Sequence, residues 1–268
     1  MVRSSRWALT AATSVAGVGV SALAFREVLR RQAAVARRRI GKPLGENAPD
    51  ADRVWRRSLA GEAIELLLLG DSIAAGLGAE RRKDTLGARL AKGLARRTHR
   101  PVRLRTAAVV GSESSALAAQ LDALPVGYLP DLAVIVVGGN DVTHRIPVGT
   151  AVGHLIDTVT RLKAGGVAVV VVTCPDLRAL RAVPQPLRSL ASRLSRQLAH
   201  AQAEAATAAG ASVFSIRRTV GPMFLSEPAE MFSMDRFHPS ALGYRRTADA
   251  LLPVAEKALA HAPHSETD

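Results

Sequence analysis

The sequence predicts an α/β fold: a three-layer α/β/α sandwich built on a five-stranded, mostly parallel sheet. Three observations predict it. Five short apolar runs recur along the chain, at residues 64–69, 102–109, 132–137, 167–172 and 212–216. Three of them are almost continuously apolar, as parallel strands covered on both faces are. Longer stretches of helical periodicity lie between them, so strand and helix alternate along the chain.

The helices follow from their stripes. Leu86, Leu90 and Leu94 recur at every fourth position. Val152, Leu155, Ile156, Val159 and Leu162 mark a second helix, and Leu187, Leu190, Leu194 and Leu198, continued by Ala201 and Ala205, a long third. Leu242, Ala248, Leu251, Leu252, Ala255 and Leu259 mark the last. Gly165-Gly166 and Gly210 stop two of these helices just before the next strand, as C-terminal glycines do. No internal repeat is visible.

Ahead of this domain, taken as residues 61–262 with a short tail at 263–268, the chain is different in kind. Residues 8–25 form an uncharged run preceded by Arg3 and Arg6, just long enough to span a bilayer core as a helix. The same run fits the apolar region of a signal peptide, with Ala22-Leu23-Ala24 as cleavage site, which would make the product secreted or part of the cell envelope. The basic residues that follow, Arg26, Arg30 and Arg31, oppose translocation and favour an uncleaved membrane anchor over residues 1–40. Both flanks are positive, so its orientation stays open. Residues 41–60, with Gly, Pro, Asn and Asp and no sustained apolar period, read as a linker.

Composition narrows the function classes. At 268 residues and 48% hydrophobic, the chain has ample material for a buried core. Its net charge is +13, but twelve bases and four acids place +8 of that within the first 58 residues. The basic segment lacks aromatic interleaving and any recognisable binding motif, which argues against nucleic acid and for a membrane surface. Cys174 is the single cysteine, so no intrachain disulfide forms, and no CxxC or HExxH pattern supplies a metal site. Neither metal nor cofactor is expected.

Ligands of such sheets bind beyond the carboxyl ends of the strands. The segments there are the least ordinary in the chain. After the first run stands Gly70-Asp71-Ser72-Ile73-Ala74-Ala75-Gly76, and after the second Val110-Gly111-Ser112-Glu113-Ser114. Gly138-Gly139-Asn140-Asp141 follows the third, and Asp235-Arg236-Phe237-His238-Pro239-Ser240 precedes the last helix.

This set resembles the SGNH hydrolase family, the GDSL-type esterases and lipases, whose four sequence blocks are named for Ser, Gly, Asn and His. Ser72, Gly111, Asn140 and His238 appear in that order, and the resemblance spans roughly residues 64–259. One departure is Ile73, where the family name implies Leu. The resemblance implies an SGNH-hydrolase, flavodoxin-like sheet and an oxyanion hole made by the backbone N–H groups of Ser72 and Gly111 and the side-chain amide of Asn140. The chemistry needs these residue types. A serine hydroxyl is a weak nucleophile until a base takes its proton, and His238, with an ordinary pKa of about 6.5, suits that task. Asp235, three residues earlier, is placed to hold the other ring nitrogen. Ala74 stands where a G-x-S-x-G elbow requires glycine, which disfavours an α/β-hydrolase.

The function expected is a serine-dependent carboxylester hydrolase acting through an acyl-enzyme on small or short-chain acyl esters, its partners being a small ester and a membrane. Two rivals stand beside it: a thioesterase or lysophospholipase acting on lipid-like substrates, and a non-catalytic module that keeps the fold. Asp71 and Asp141 read as loop-holding residues, and Ser240 as a helix cap. His144 and Cys174 lie near the crevice by position. Residues 222–234, rich in Met, Phe and Leu, read either as an acyl-binding wall or as ordinary core packing, and residues 176–186 as solvated loop bordering the pocket.

Overall fold

A computed structural model describes residues 5–261, with side chains described from residue 23 onward. Its first element is helix α1 (Ser5–Ile40). Among the described residues no helix is long and apolar enough to cross a membrane. The run expected to form a membrane anchor lies, but for its last few residues, outside the side chains described. The end of α1 rests on the body of the protein, with Leu29 and Ala36 buried and the Gln32 side chain accepting from Leu187 N–H at 2.9 Å.

The sheet has six strands where the apolar runs predict five. Five are parallel: β2 (Ile64–Gly70), β3 (Val102–Thr106), β4 (Leu132–Val136), β5 (Ala168–Val172) and β6 (Ser212–Phe214). The sixth, β1 (Arg53–Trp55), pairs antiparallel with β3 and lies in the stretch expected to be linker. It is only three residues long, too short for its alternation to register in the sequence. Sheet order is β1-β3-β2-β4-β5-β6. The parallel strands therefore follow the flavodoxin-like order, in which the order of strand addition reverses between the first and third strands, here β2 and β4.

Period-two geometry divides each strand between two cores. Leu66, Leu68, Val134, Val136, Val170 and Val172 face one side. There they meet α3 (Leu86–Thr98) and the C-terminal helix (Ala241–Ala260). Leu67, Leu69, Ile135, Val169 and Val171 face the other. They are covered by α4 (Leu117–Asp122), α6 (Val148–Ala164) and α7 (Leu187–Ala208). Both faces are buried, which is why β2, β4 and β5 read as unbroken apolar runs. Strand β3, between β1 and β2, carries charge instead: Arg103 pairs with Glu65 at 2.7 Å, and Arg105 lies over the Tyr128 ring.

The remaining helices are short and sit at the carboxyl ends of the strands. They are α2 (Ser72–Ala75) after β2, α5 (Gly139–His144) after β4, and α8 (Ile216–Thr219), α9 (Gly221–Ser226) and α10 (Pro228–Met231) after β6. The C-terminal helix, α11, is capped by Ser240, whose Oγ accepts from Gly243 N–H at 3.1 Å.

Candidate active site

The site begins where β2 stops. Gly70 has φ +126°, and a Cβ there would lie 1.9 Å from Val136 O on the neighbouring strand, so the chain turns at a point only glycine fits. The side chain of Gln120 holds this turn from the other side. Its Oε1 accepts from Gly70 N–H and its Nε2 donates to Gly70 O, both at 2.8 Å. Asp71 then caps α2, its carboxylate accepting from Ile73 N–H at 2.9 Å. That leaves Ser72 as the first helical residue. Its N–H has no acceptor within the helix, and its hydroxyl points at the sheet's crevice.

The histidine arrives on a different segment. Between α10 and α11 the chain makes a tight loop closed by Ser233 N–H donating to His238 O at 2.8 Å, with Arg236 in the left-handed region at φ +57°. Asp235 organises that loop. Its Oδ1 accepts from Phe237 N–H at 2.9 Å and His238 N–H at 3.0 Å, and its Oδ2 lies 2.5 Å from His238 Nδ1. His238 Nε2 then lies 2.9 Å from Ser72 Oγ. The Phe237 ring packs edge-on against the imidazole, 4.9 Å between centroids, and limits its rotation.

Two contacts clamp the serine and histidine loops together. Tyr244, fully buried in the first turn of α11, donates its hydroxyl to Leu77 O at 2.6 Å. A Cβ on Gly78 would lie 2.3 Å from Pro239 O and 3.0 Å from His238 Cβ, so the loops meet backbone to backbone. Neither residue carries a motif signal beyond the glycine itself, so the sequence alone reveals neither contact.

The other two blocks close the top of the sheet. The Asn140 side chain donates to Ser112 O at 2.8 Å, which leaves its second amide hydrogen free to face the cavity that Asn140 lines. Gly111 is one residue from that acceptor, at φ +84°, and its N–H meets no acceptor among the described residues. Gly111 is not itself part of the cavity wall. Asp141 is buried and accepts from Ser114, as expected of a loop-holding residue. His144 does not line the cavity; its Nδ1 lies 2.6 Å from Glu113 Oε1 on the surface.

Two aspartates near the serine have carboxyls shifted in opposite directions, for identifiable reasons. Burial works to raise the Asp235 carboxyl, but bonds from the His238 ring and the His238 and Phe237 N–H groups outweigh it and hold the group below its ordinary value. Asp71 is wholly desolvated. Burial pushes it up to about 7, against a partial pull downward from the N–H groups of Ile73 and Gly139. Only Asp235 is thus suited to steady an imidazolium. Cys174 is buried, its thiol pushed up by desolvation, and it does not line the cavity.

The cavity holds about 360 Å³ beside Ser72, His238 and Asn140. The expected wall at residues 222–234 is partly realised. Phe224, Leu225 and Phe232 line it, the first and last in edge-on contact at 5.0 Å between centroids. Met231 is instead buried in the core, and Met234 is exposed. The stretch at 176–186, expected to be solvated, is partly anchored: Leu177 and Leu180 are buried against Leu198 and Ala199 of α7, and Ala179 and Ala182 are buried as well.

Residues 68–246 match the GDSL-like Lipase/Acylhydrolase family. The chain is 40% identical over 270 residues to the GDSL-like esterase Rv1075c of Mycobacterium tuberculosis, covering 97% of this chain and 85% of that one. Among solved structures, TesA superposes with a TM-score of 0.59 at 23% identity, covering 72% of this chain and 99% of that one. A catalytic mutant of Axe2, an acetylxylan esterase from Geobacillus stearothermophilus, superposes with a TM-score of 0.58 at 19% identity, covering 73% and 95%. At such identities these two likenesses bear on the fold.

Proposed function

The chain belongs to the GDSL-like lipase/acylhydrolase family and is an esterase of it; on that premise we propose that it cleaves small or short-chain carboxylic esters through an acyl-enzyme formed on Ser72. The observation that carries this reading is the 2.9 Å approach of His238 Nε2 to Ser72 Oγ, with Asp235 on the opposite ring nitrogen. With Nδ1–H donating to Asp235, Nε2 is free to accept the serine proton. As Ser72 Oγ bonds to the substrate carbonyl carbon, that proton passes to His238. The carbonyl oxygen takes up the electron pair and is met by Ser72 N–H, Gly111 N–H and the Asn140 amide. Collapse breaks the bond to the alcohol, which leaves with the His238 proton. Water then repeats the sequence on the acyl-enzyme and releases the acid.

The cavity supports the choice of substrate size. About 360 Å³ lies near the lower end of ligand pockets, which span roughly 300–1,000 Å³. A second reading, hydrolysis of longer lipid-like acyl groups, draws support from the wall of Phe224, Leu225 and Phe232. Hydrolysis of p-nitrophenyl acetate beside p-nitrophenyl octanoate separates the two. Ser72→Ala should lower either rate at least about 10³-fold and abolish labelling by a fluorophosphonate probe. An alanine variant that hydrolyses as fast as wild type overturns the nucleophile assignment. Labelling of wild type also disposes of the non-catalytic rival.

We propose that the N-terminal segment tethers the protein to a membrane, supported by the uncharged run at residues 8–25 and the arginines on both sides of it. Carbonate-resistant membrane association of the full chain, lost when residues 1–22 are deleted, is the expected result.

A further inference from the structure

Two separate loops bring arginines to the cavity. Arg178 comes from the turn after β5, and Arg217 and Arg218 come from α8, after β6. Among the described residues none of the three forms an ion pair. The acid nearest Arg178 in sequence, Asp176, also lines the cavity but is turned back into the fold. Its Oδ1 accepts from Arg178 N–H at 2.9 Å and from Ser192 Oγ at 2.7 Å. Asp71, the other lining carboxyl, lies buried beside Ser72. The cavity is therefore amphiphilic: Leu177, Leu180, Phe224 and Phe232 form an apolar body, and three exposed arginines line it without an ion-pair partner among the described residues.

Hydrolysis of a neutral ester gives these cations nothing to do. Like charges gathered in one concavity repel, and an apolar wall strengthens their field. A guanidinium is always charged and presents a planar fork that fits carboxylate or phosphate oxygens. We propose that this cavity selects esters carrying an anionic group, carboxylate or phosphate, remote from the scissile bond. The apolar body holds the intervening carbons, and Arg178, Arg217 and Arg218 hold the charge. The proposal rests on Ser72 being the nucleophile.

The test compares kcat/KM within two matched pairs, using the full chain. Mono-p-nitrophenyl adipate against p-nitrophenyl hexanoate places the charge on the acyl side. 1-Octanoylglycerol 3-phosphate against 1-octanoylglycerol places it on the alcohol side. In at least one pair the anionic ester should be favoured about tenfold at low salt. That ratio should fall toward one in 1 M NaCl, where the screening length is about 3 Å. It should also fall in the Arg217→Gln/Arg218→Gln double variant and in Arg178→Gln. The salt arm needs no variant, so misfolding of a substituted chain leaves the question decidable. Ratios of one or less in both pairs overturn the proposal, as does a preference that neither salt nor any arginine substitution reduces. If neutral esters are cleaved by wild type and not by Ser72→Ala while the ratios stay at one, the esterase mechanism stands and this inference alone fails. Absence of hydrolysis of all four esters overturns both.

Discussion

The carboxylate of Asp141 accepts both the backbone N–H and the hydroxyl of Ser114, at 3.1 and 2.6 Å, in a buried contact. Strands β3 and β4 lie on opposite sides of β2 in the sheet, so this contact bridges the loops above β2's carboxyl end. Ser72 opens the helix that follows β2. The placement of Gly111 and Asn140 relative to the serine thus depends on a bond between two residues that take no part in the chemistry themselves.

Ser114→Ala should therefore cost both stability and rate. It leaves a buried carboxylate oxygen short of a donor, a loss of about 1–3 kcal/mol. Thermal unfolding should drop by several degrees, and kcat should fall. Ser115→Ala, on the same segment but exposed, should leave both unchanged. Equal behaviour of the two variants would show that the bridge holds nothing in place.

Gly78→Ala should impair catalysis without touching a reacting group. The added methyl would meet Pro239 O at 2.3 Å, and Gly78 has φ +104°, so the histidine loop must retreat from the serine. Fluorophosphonate labelling should slow at least tenfold, since a misplacement of about 1 Å costs about 10² in rate. Gly149→Ala provides the contrast. That glycine lies in α6 with open space where its Cβ would be, and the change should stabilise by about 0.5–1 kcal/mol.

Asp71 should make stability fall with rising pH. Its carboxyl is raised to about 7 in the folded protein, against an ordinary value near 3.8. Between those values the folded chain keeps a proton that the unfolded chain has released, so the unfolding free energy declines across that window and levels off above it. Asp235 acts with the opposite sign. Its lowered carboxyl makes stability fall as pH drops, below 3.8 and outside the same window. Urea midpoints of wild type and Asp71→Asn, measured from pH 4.5 to 7.5, should show the decline only in wild type. Parallel curves would contradict the assignment.

Asp235→Asn should lower kcat by about 10⁴, because the amide no longer enforces the tautomer in which Nε2 accepts the serine proton. Asn140→Ala should lower kcat by about 10²–10³ with little change in KM, the mark of a donor used chiefly in the transition state. A rise in KM at unchanged kcat would place Asn140 in ground-state binding instead.

The three central strands were legible because their physics is local. With both faces buried, Leu66 to Leu69, Ala133 to Val136 and Val169 to Val172 have no polar alternation, and a one-dimensional pattern suffices to find them. β1 was not legible, since three residues at a sheet edge gain their structure from β3 and not from their own sequence. The loop-holding roles of Asp71 and Asp141 and the capping role of Ser240 were also readable, because each acts on backbone a few residues away or within a recognisable block. Gln120, Tyr244 and Gly78 escaped notice. Each works on a partner in a distant segment: Gln120 on Gly70, Tyr244 on Leu77, Gly78 on Pro239.

The sequence alone determined the fold class, the residue types of the site and their order along the chain, because periodicity and motif spacing are properties of neighbouring residues. Tertiary structure decided that Ser72 and His238, 166 residues apart, lie within hydrogen-bond reach. It also decided which of two aspartates has its carboxyl pushed up and which has it held down, and that three arginines from two segments share one cavity with the serine. These depend on burial and on where separate strands deliver their loops. Packing of the whole chain sets both, and no local pattern encodes them.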